Sequence, residues 1–493
     1  MKYCTPEQAG ISSRQVQKFY RALEDYRLST HSVIMARGDK IFSECYYAPF
    51  DASFKHRMYS VSKSFISAAV GFCMQDGLLS LDDKMTDYFP EYLNENTDEI
   101  MRSATIRDML QMQSSIEGFP KKWFYLKPQD RNETYFRISS QKYPGTLFTY
   151  DSSGSYMLNV IVEKLTGKPF LQYLQEKALN DIGFSKDAYC IQAPGGYSFG
   201  DSGIMCTARD LLLFARFIKN RGAWNGKQYL DRAYVEEALT MSVFNRDDYG
   251  FTSHGAHGYG YLIWGAPRGG FAFLGMGNQI ALCDVEHDFT FIINSDNQGN
   301  TYGYEHIYEA IYHNVIDHLS DGEALPEDPE ALAALRAMEQ DQKLFFLRGN
   351  TSSPFAEKIS GKTYICEENP MGIRYFRLDF ANESGTFTYK NEQGVKSFPF
   401  GFGKNEFAKF PQSGYSDLIA GADCPGNLYD AAFSADWCEE KKLRIRVQII
   451  DKYFGNMAIL LGFADEDHVT MRMVKTAEAF LDEYQGLTRA VAK

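Results

Sequence analysis

Apolar and polar positions along the first 320 residues predict a hairpin, then helices, then strands. Residues 32–47 contain two apolar runs around a Gly-Asp turn, which is typical of a β-hairpin. Residues 80–240 have mostly helical spacing, and residues 258–296 contain strand-like runs between glycine-rich turns before a helix at about 303–319. This order predicts a mixed α/β fold in which the hairpin and the later strands share one sheet with helices on both faces.

The pattern changes after residue 320. Residues 321–355 are acidic, contain two prolines near their start and then place Leu and Met at helical spacing, which predicts a linker with a short helix. From residue 356 to residue 493 apolar and polar side chains alternate with a period of two, in runs separated by Gly, Asn and Asp. That alternation predicts a C-terminal antiparallel β-barrel. The predicted domains are therefore 1–320, a linker at 321–355, and 356–493.

One lysine interrupts a markedly apolar helix of the first domain. The helix is expected to run from Ser60 to Met74, and most of its surface is apolar. Its remaining stripe is small rather than strongly polar, which indicates that another element packs closely there. We therefore expect a central helix, with the lysine at the floor of a cavity that holds little water. The stripe consists of Ser60, Lys63, Ser64, Ser67 and Gly71.

Ser60 and Lys63 have the spacing of a nucleophile and its base. Residues three apart on a helix project from the same face, so the two side chains are expected to be neighbours. A serine becomes a nucleophile when a neighbouring base takes its proton, and a lysine shielded from water can take or relay one. The helix N-terminus also favours developing negative charge. A second Ser-x-x-Lys, at Ser139 and Lys142, lies in a polar stretch and is interpreted as coincidence.

These motifs resemble those of the β-lactamase-related serine hydrolases: class C β-lactamases, penicillin-binding proteins, D-aminopeptidases, family VIII esterases and nylon-oligomer hydrolases. Ser60 and Lys63 match the first family motif, Ser-x-x-Lys on a central helix. Tyr150 and Ser152, in FTYDSSGSYMLNVIVEKLTG, are similar to the second, Tyr-x-Asn or Tyr-x-Ser. The resemblance covers roughly residues 5–318 and implies an antiparallel sheet flanked by helices with a helical lobe.

The third family motif, usually Lys-Thr-Gly or His-x-Gly, has only a partial counterpart. The similar segment here is Phe273-Leu274-Gly275, which keeps the glycine that lets a strand backbone approach substrate. The Lys and Thr that would hold a carboxylate are absent, and Ser152 replaces the Asn of the second motif. The resemblance implies that substrate is bound by Ser152, Phe273, Leu274 and Gly275. The departures favour small esters or amides over antibiotics or cell-wall peptides.

The resemblance also implies a mechanism. Ser60 would attack a carbonyl carbon to form an acyl-enzyme, and Tyr150, paired with Lys63, would take the serine proton and pass one to the leaving group. The backbone N–H groups of Ser60 and Met276 would form the oxyanion hole. Water would then release the acid. This chemistry requires no metal and no cofactor.

Composition and charge limit the partners. The 493-residue chain carries a net charge of −13, which argues against nucleic-acid binding because that affinity comes largely from Lys and Arg. Apolar runs are too short for a membrane span. Nine scattered cysteines and an N-terminus without a signal-peptide pattern predict a cytoplasmic protein. The expected partner is a small ester, amide or peptide substrate, and homo-oligomerisation is compatible with the sequence.

Other functions have weaker sequence support. There is no Rossmann or P-loop glycine pattern, and the His254-x-x-His257 pair lacks a nearby carboxylate pattern for a metal site. The alternatives are a D-aminopeptidase or other small-peptide hydrolase, a β-lactamase-like enzyme, and a non-catalytic ligand-binding protein. The barrel resembles the lipocalin-like barrels of related hydrolases. A stabilising or oligomerising role is favoured over a lid for the cleft.

Overall fold

A computed structural model of the chain describes residues 1–118, 130–245, 255–415, 426–477 and 480–493. The described residues form two units. The first comprises residues 1–343, and the second begins at Leu344.

A seven-stranded sheet forms the centre of the first unit. Its strands are Lys2–Tyr3 (β1), Thr30–Arg37 (β2), Lys40–Tyr46 (β3), Trp264–Gly265 (β4), Phe271–Gly275 (β5), Gln279–Asp284 (β6) and Phe289–Ser295 (β7). Their spatial order is β1-β3-β2-β7-β6-β5-β4, and all pairs are antiparallel except β1 with β3. Because β2 pairs with β7, the N-terminal hairpin and the later strands share one sheet, which confirms the prediction.

Helices cover both faces of this sheet. The helices are Ser13–Asp25 (α1), Ser62–Gln75 (α2), Ser152–Thr166 (α3), Ala208–Lys219 (α4), Gly303–Asn314 (α5) and Pro329–Gln340 (α6). On one face α1, α5 and α6 bury apolar side chains such as Phe19, Ile311 and Leu335 against the strands. On the other face α4 packs on β6 and β7, and α2 meets α4 where the rings of Phe65 and Phe214 stack with centroids 3.6 Å apart.

Shorter elements complete the first unit, and those between α2 and α4 make up the predicted helical lobe. The short helical segments are Glu7–Ala9, Tyr59–Val61, Met85–Tyr88, Pro90–Tyr92, Glu99–Ser103, Ile106–Leu110, Arg131–Phe136, Phe170–Leu174, Gln175–Leu179, Asn180–Ile182, Arg232–Ala238, Pro267–Gly269 and Ile316–His318. The short strands are His56–Arg57, Tyr189–Cys190, Ile204–Cys206, Ala223–Trp224 and Lys227–Gln228. None of the helices described here has both the length and the apolar character needed to cross a bilayer.

Helix α6 belongs to the first unit, although the sequence placed it in a linker. Leu335 is fully buried in the core of the sheet. The amide of Gln17 donates to the Ala331 carbonyl at 2.9 Å, and the Ser43 hydroxyl donates to Glu339 Oε1 at 2.5 Å. The helical spacing predicted the helix correctly, but spacing alone does not say what an apolar face packs against. The division between units therefore falls after residue 343 rather than after residue 320.

The second unit is a closed β-barrel, as the alternating pattern predicted. Its strands are Thr363–Cys366 (β8), Tyr375–Ala381 (β9), Ser384–Asn391 (β10), Gly394–Phe402 (β11), Glu406–Lys409 (β12), Asp430–Glu439 (β13), Lys442–Ile450 (β14), Phe454–Phe463 (β15), His468–Ala477 (β16) and Gly486–Ala492 (β17). Parallel pairing of β11 with β13 closes a ring of nine strands, and β12 extends from β13. A short helix, Ala356–Ile359, precedes the barrel.

Candidate active site

Ser60 and Lys63 are in hydrogen-bond contact at the start of the central helix. Ser60 lies in the single helical turn Tyr59–Val61, and Lys63 lies in the first turn of α2. Only 2% of the Lys63 surface is exposed. Its Nζ donates to Ser60 Oγ at 3.0 Å and to the Asp201 carbonyl at 2.7 Å. A proton could therefore pass directly between the serine hydroxyl and the lysine amine.

The residue before the serine has an unusual backbone. Tyr59 has φ of 47°, in the left-handed region that side chains other than glycine rarely adopt. Its ring is buried beneath the Arg57 guanidinium, whose carbon lies 4.1 Å from the ring centroid. Arg57 in turn donates to the carbonyl and the hydroxyl of Ser202 at 3.1 and 3.0 Å. This packing holds the turn that carries Ser60 in its strained conformation.

The small stripe of α2 is covered by other elements, as its composition predicted. The Ser64 hydroxyl donates to the Leu262 carbonyl at 2.8 Å, and the Tyr234 hydroxyl donates to the Ser67 carbonyl at 2.7 Å. A methyl group added at Gly71 would overlap the ring of Tyr234. Small side chains are therefore required for this close approach, and Lys63 is buried because its surroundings are filled by protein.

Tyr150 lies beside Lys63. Its ring centroid is 5.2 Å from Lys63 Nζ, and the tyrosine is 9% exposed. The ring stacks on Trp264 with centroids 5.5 Å apart and an interplanar angle of 25°. Trp264 comes from β4, so the sheet supports the face of the tyrosine. The three predicted catalytic side chains are thus brought together by α2, the segment before α3, and the edge of the sheet.

The residues after Tyr150 begin helix α3. Asp151 caps this helix, because its Oδ1 accepts the backbone N–H of Ser153 at 2.9 Å. Its Oδ2 accepts the Ser114 hydroxyl at 2.9 Å, and burial raises the pKa of this carboxyl. Ser152 is the first residue of the helix and is buried. The cap fixes the backbone directly after Tyr150, and so helps to fix the direction of the Tyr150 side chain.

Strand β5 approaches the serine segment through its glycine. A Cβ atom built on Gly275 would lie 2.5 Å from the carbonyl oxygen of Met58, two residues before Ser60. Phe273 has no exposed surface and packs on Phe214 with ring centroids 5.5 Å apart. Leu274 packs on the opposite face of the sheet, against the core with α1 and α5. Substrate contact by these two side chains stays a prediction.

Comparison with known proteins identifies the family. The family described as Beta-lactamase matches residues 16–312. The chain belongs to the beta-lactamase family. It is therefore related to hydrolases, as the order of its motifs indicated.

Relatives of this beta-lactamase-family protein include a hydrolase of low sequence identity and two solved structures. The 6-aminohexanoate-dimer hydrolase of Paenarthrobacter ureafaciens is 25% identical over 284 residues, covering 53% of this chain and 71% of the relative. A penicillin-binding protein homologue from Caulobacter crescentus has a TM-score of 0.51 at 14% identity, covering 64% of this chain and 99% of that one. The D-amino acid amidase of Ochrobactrum anthropi SV3 has a TM-score of 0.50 at 16% identity, covering 62% and 100%. The two structural likenesses show a shared fold.

The second Ser-x-x-Lys of this beta-lactamase-family protein lies in a segment without regular secondary structure. Ser139 is exposed, and Lys142 lies outside any helix and donates to the Leu147 carbonyl at 2.6 Å. His254 lies outside the described residues, so the interpretation that the His254-x-x-His257 pattern is not a metal site stays a prediction. Within the ranges described, His, Cys, Asp and Glu side chains form no group of three that could hold a metal ion.

The sequence did not single out several side chains that shape this beta-lactamase-family site. Arg57 supports the backbone before Ser60, and Trp264 supports the ring of Tyr150. Tyr304, near the start of α5, donates a hydrogen bond to the Gly275 carbonyl at 2.6 Å. Trp264 lies in GYGYLIWG, a segment with a family resemblance, so it had a sequence signal. Tyr304 had none, because it is one of 32 tyrosines and follows no recognised motif.

Proposed function

We propose that the protein is a serine hydrolase that cleaves small amides or esters through an acyl-enzyme on Ser60. The observation that carries this proposal is the 3.0 Å contact between the buried Lys63 Nζ and Ser60 Oγ. A serine with such a neighbour loses its proton as it attacks a carbonyl carbon, which is the requirement for nucleophilic catalysis.

The proton route uses both partners of the serine. As Ser60 Oγ bonds to the substrate carbonyl carbon, its proton moves to the Lys63–Tyr150 pair. Tyr150 then gives a proton to the leaving amine or alcohol as the carbonyl–heteroatom bond breaks. In the second half, water attacks the acyl-enzyme, the pair takes the water proton, and Ser60 regains one as the acid leaves. The short distance from Lys63 Nζ to the Tyr150 ring, 5.2 Å to its centroid, supports a shared role.

Two backbone N–H groups are proposed to bind the developing oxyanion. They are those of Ser60 and of Met276, the residue that follows Gly275. The close approach of Gly275 to the Met58 carbonyl supports this assignment, because it brings the end of β5 next to the segment that carries the serine. Fixed donors of this kind stabilise the tetrahedral intermediate without reorganising during the reaction.

The substrate is proposed to be a small linear amide or ester. The Paenarthrobacter relative is named for hydrolysis of the 6-aminohexanoate dimer, which supports amide chemistry. A β-lactam carboxylate would need a cationic and a hydroxyl side chain where this chain has Phe273 and Leu274. One charge-assisted hydrogen bond contributes about 1.5–3 kcal/mol, so its absence weakens binding by about 10- to 150-fold.

A hydrolysis panel tests this preference. It would compare p-nitrophenyl esters, small linear amides, D- and L-amino-acid amides, and nitrocefin, with kcat/KM measured for each. We expect esters or linear amides to be turned over and nitrocefin to have a kcat/KM at least about tenfold lower, because the carboxylate contact is missing. The Ser60→Ala variant is the background control. Efficient nitrocefin turnover with esters and amides untouched would overturn the substrate assignment.

A further inference from the structure

The turn after β5 is held by hydrogen bonds to every one of its carbonyl groups. Met276, Gly277 and Asn278 join β5 to β6. The Met276 carbonyl accepts from the Gln279 amide at 3.0 Å. The Gly277 carbonyl accepts from the Asn297 N–H at 3.1 Å and from the Ser295 hydroxyl at 2.8 Å, and the Ser295 hydroxyl also lies 2.9 Å from the Asn278 carbonyl. This turn is therefore rigid for a loop of three residues.

Tyr304 completes this set of contacts. Its hydroxyl donates at 2.6 Å to the carbonyl of Gly275, the residue immediately before the turn. The Gly275 carbonyl and the Met276 N–H belong to the same planar peptide group. A donor that fixes the carbonyl therefore also fixes the direction of the N–H. By drawing electron density to the carbonyl oxygen, it also makes the N–H a stronger donor.

We infer that Tyr304 is a positioning residue for the oxyanion hole of the proposed hydrolase. Its hydroxyl aims and polarises the Gly275–Met276 peptide group, whose N–H is the proposed donor to the substrate oxyanion. This inference rests on the proposed function, because it assigns a task to the same site. Tyr304 acts through the peptide group and is not itself expected to touch the reacting atoms.

The surroundings of Tyr304 suit this task. Its helix, α5, approaches the turn so closely that a methyl group on Gly303 would overlap the Asn278 side chain. The Tyr304 side chain is partly buried against the core under the sheet, which fixes where its hydroxyl lies. Burial, with a smaller effect from the neighbouring Tyr150, raises the pKa of Tyr304 above its usual value. The hydroxyl therefore stays protonated at neutral pH and remains a donor.

The test is the Tyr304→Phe variant, which removes one hydroxyl and keeps the ring. We expect kcat to fall roughly tenfold while KM changes less than about threefold, because the oxyanion contact is made in the transition state. Affinity for a boronic acid that forms a tetrahedral adduct on Ser60 should fall by a similar factor. A merely structural role would lower the amount of folded enzyme without changing kcat per active site. Turnover is therefore expressed per Ser60 that a fluorophosphonate labels at completion.

Tyr302→Phe is the matched control, since Tyr302 lies two residues away and is exposed. We expect it to behave like the wild type. If Tyr304→Phe keeps kcat and boronate affinity within twofold of wild type while Ser60→Ala abolishes turnover, the inference about Tyr304 is wrong and the proposed function stands. If Ser60→Ala itself retains turnover, the proposed function fails and the inference fails with it.

Discussion

Ser60→Ala, Lys63→Ala and Tyr150→Phe are each expected to lower kcat/KM by about a thousandfold or more. The three side chains act on one proton, so losing any of them removes the same step. The double variant Ser60→Ala/Lys63→Ala should therefore be little worse than either single variant. Kinetics with the best ester or amide of the panel measure both effects, and thermal melting shows whether each variant is folded.

The chain supplies its own control for these variants. Ser139 and Lys142 repeat the Ser-x-x-Lys spacing in an exposed segment without a helix. Ser139→Ala and Lys142→Ala are expected to keep activity within a few-fold of wild type. If Lys63→Ala retained most of its activity while Ser60→Ala lost it, another base would serve the serine, and the spacing of Ser60 and Lys63 would be incidental.

Gly275→Ala is expected to remove most activity by a different route. The added methyl carbon would lie 2.5 Å from the Met58 carbonyl oxygen, well inside van der Waals contact. The backbone fixes the position of the methyl carbon, and the oxygen it meets is itself backbone. Neither atom can rotate away, so either β5 or the segment before Ser60 must move. Overpacking of this kind costs about 1–3 kcal/mol of folding free energy. A shift of about 1 Å in reacting groups costs about a hundredfold in rate.

Gly462→Ala is the matched control for that variant. Gly462 also lies within a strand, β15 of the barrel, and a Cβ there would meet no atom within 4 Å. We expect wild-type kcat/KM and a melting temperature close to that of the wild type. Kinetics and thermal melting of both variants measure the comparison. Wild-type activity in Gly275→Ala would show that the close approach of β5 to the serine segment has no catalytic role.

Much of the fold could be predicted because local patterns determine it. The two-residue alternation in the barrel strands reflects one buried and one exposed face, and that periodicity is present in the sequence itself. The small stripe on α2 likewise predicted the close packing that Gly71 and Ser67 show. Helix α6 was predicted as a helix but placed in a linker, because the partner of an apolar face depends on tertiary contacts that spacing does not encode.

The site was predictable only where chemistry and spacing coincide. Ser60 lies in the helical turn that leads directly into α2, and Lys63 lies in the first turn of α2, so their contact follows from local helical spacing. Tyr150 required the family resemblance, since nothing local connects it with the helix. Trp264 was indicated only by a segment that resembles the family. Tyr304 acts through a hydrogen bond to a strand carbonyl, and such a contact leaves no pattern in a single sequence. Phe273 shows the same limit, because its position in the motif did not reveal that its side chain packs into the core.

The central claim is that Lys63 activates Ser60 as the nucleophile. Labelling with a fluorophosphonate, followed by peptide mass spectrometry, tests it most directly, because only an activated serine reacts at an appreciable rate. We predict a single modified residue, Ser60, with labelling absent in Ser60→Ala and slowed by at least about a hundredfold in Lys63→Ala. Modification of a different serine, or undiminished labelling of Ser60 in Lys63→Ala, would contradict it.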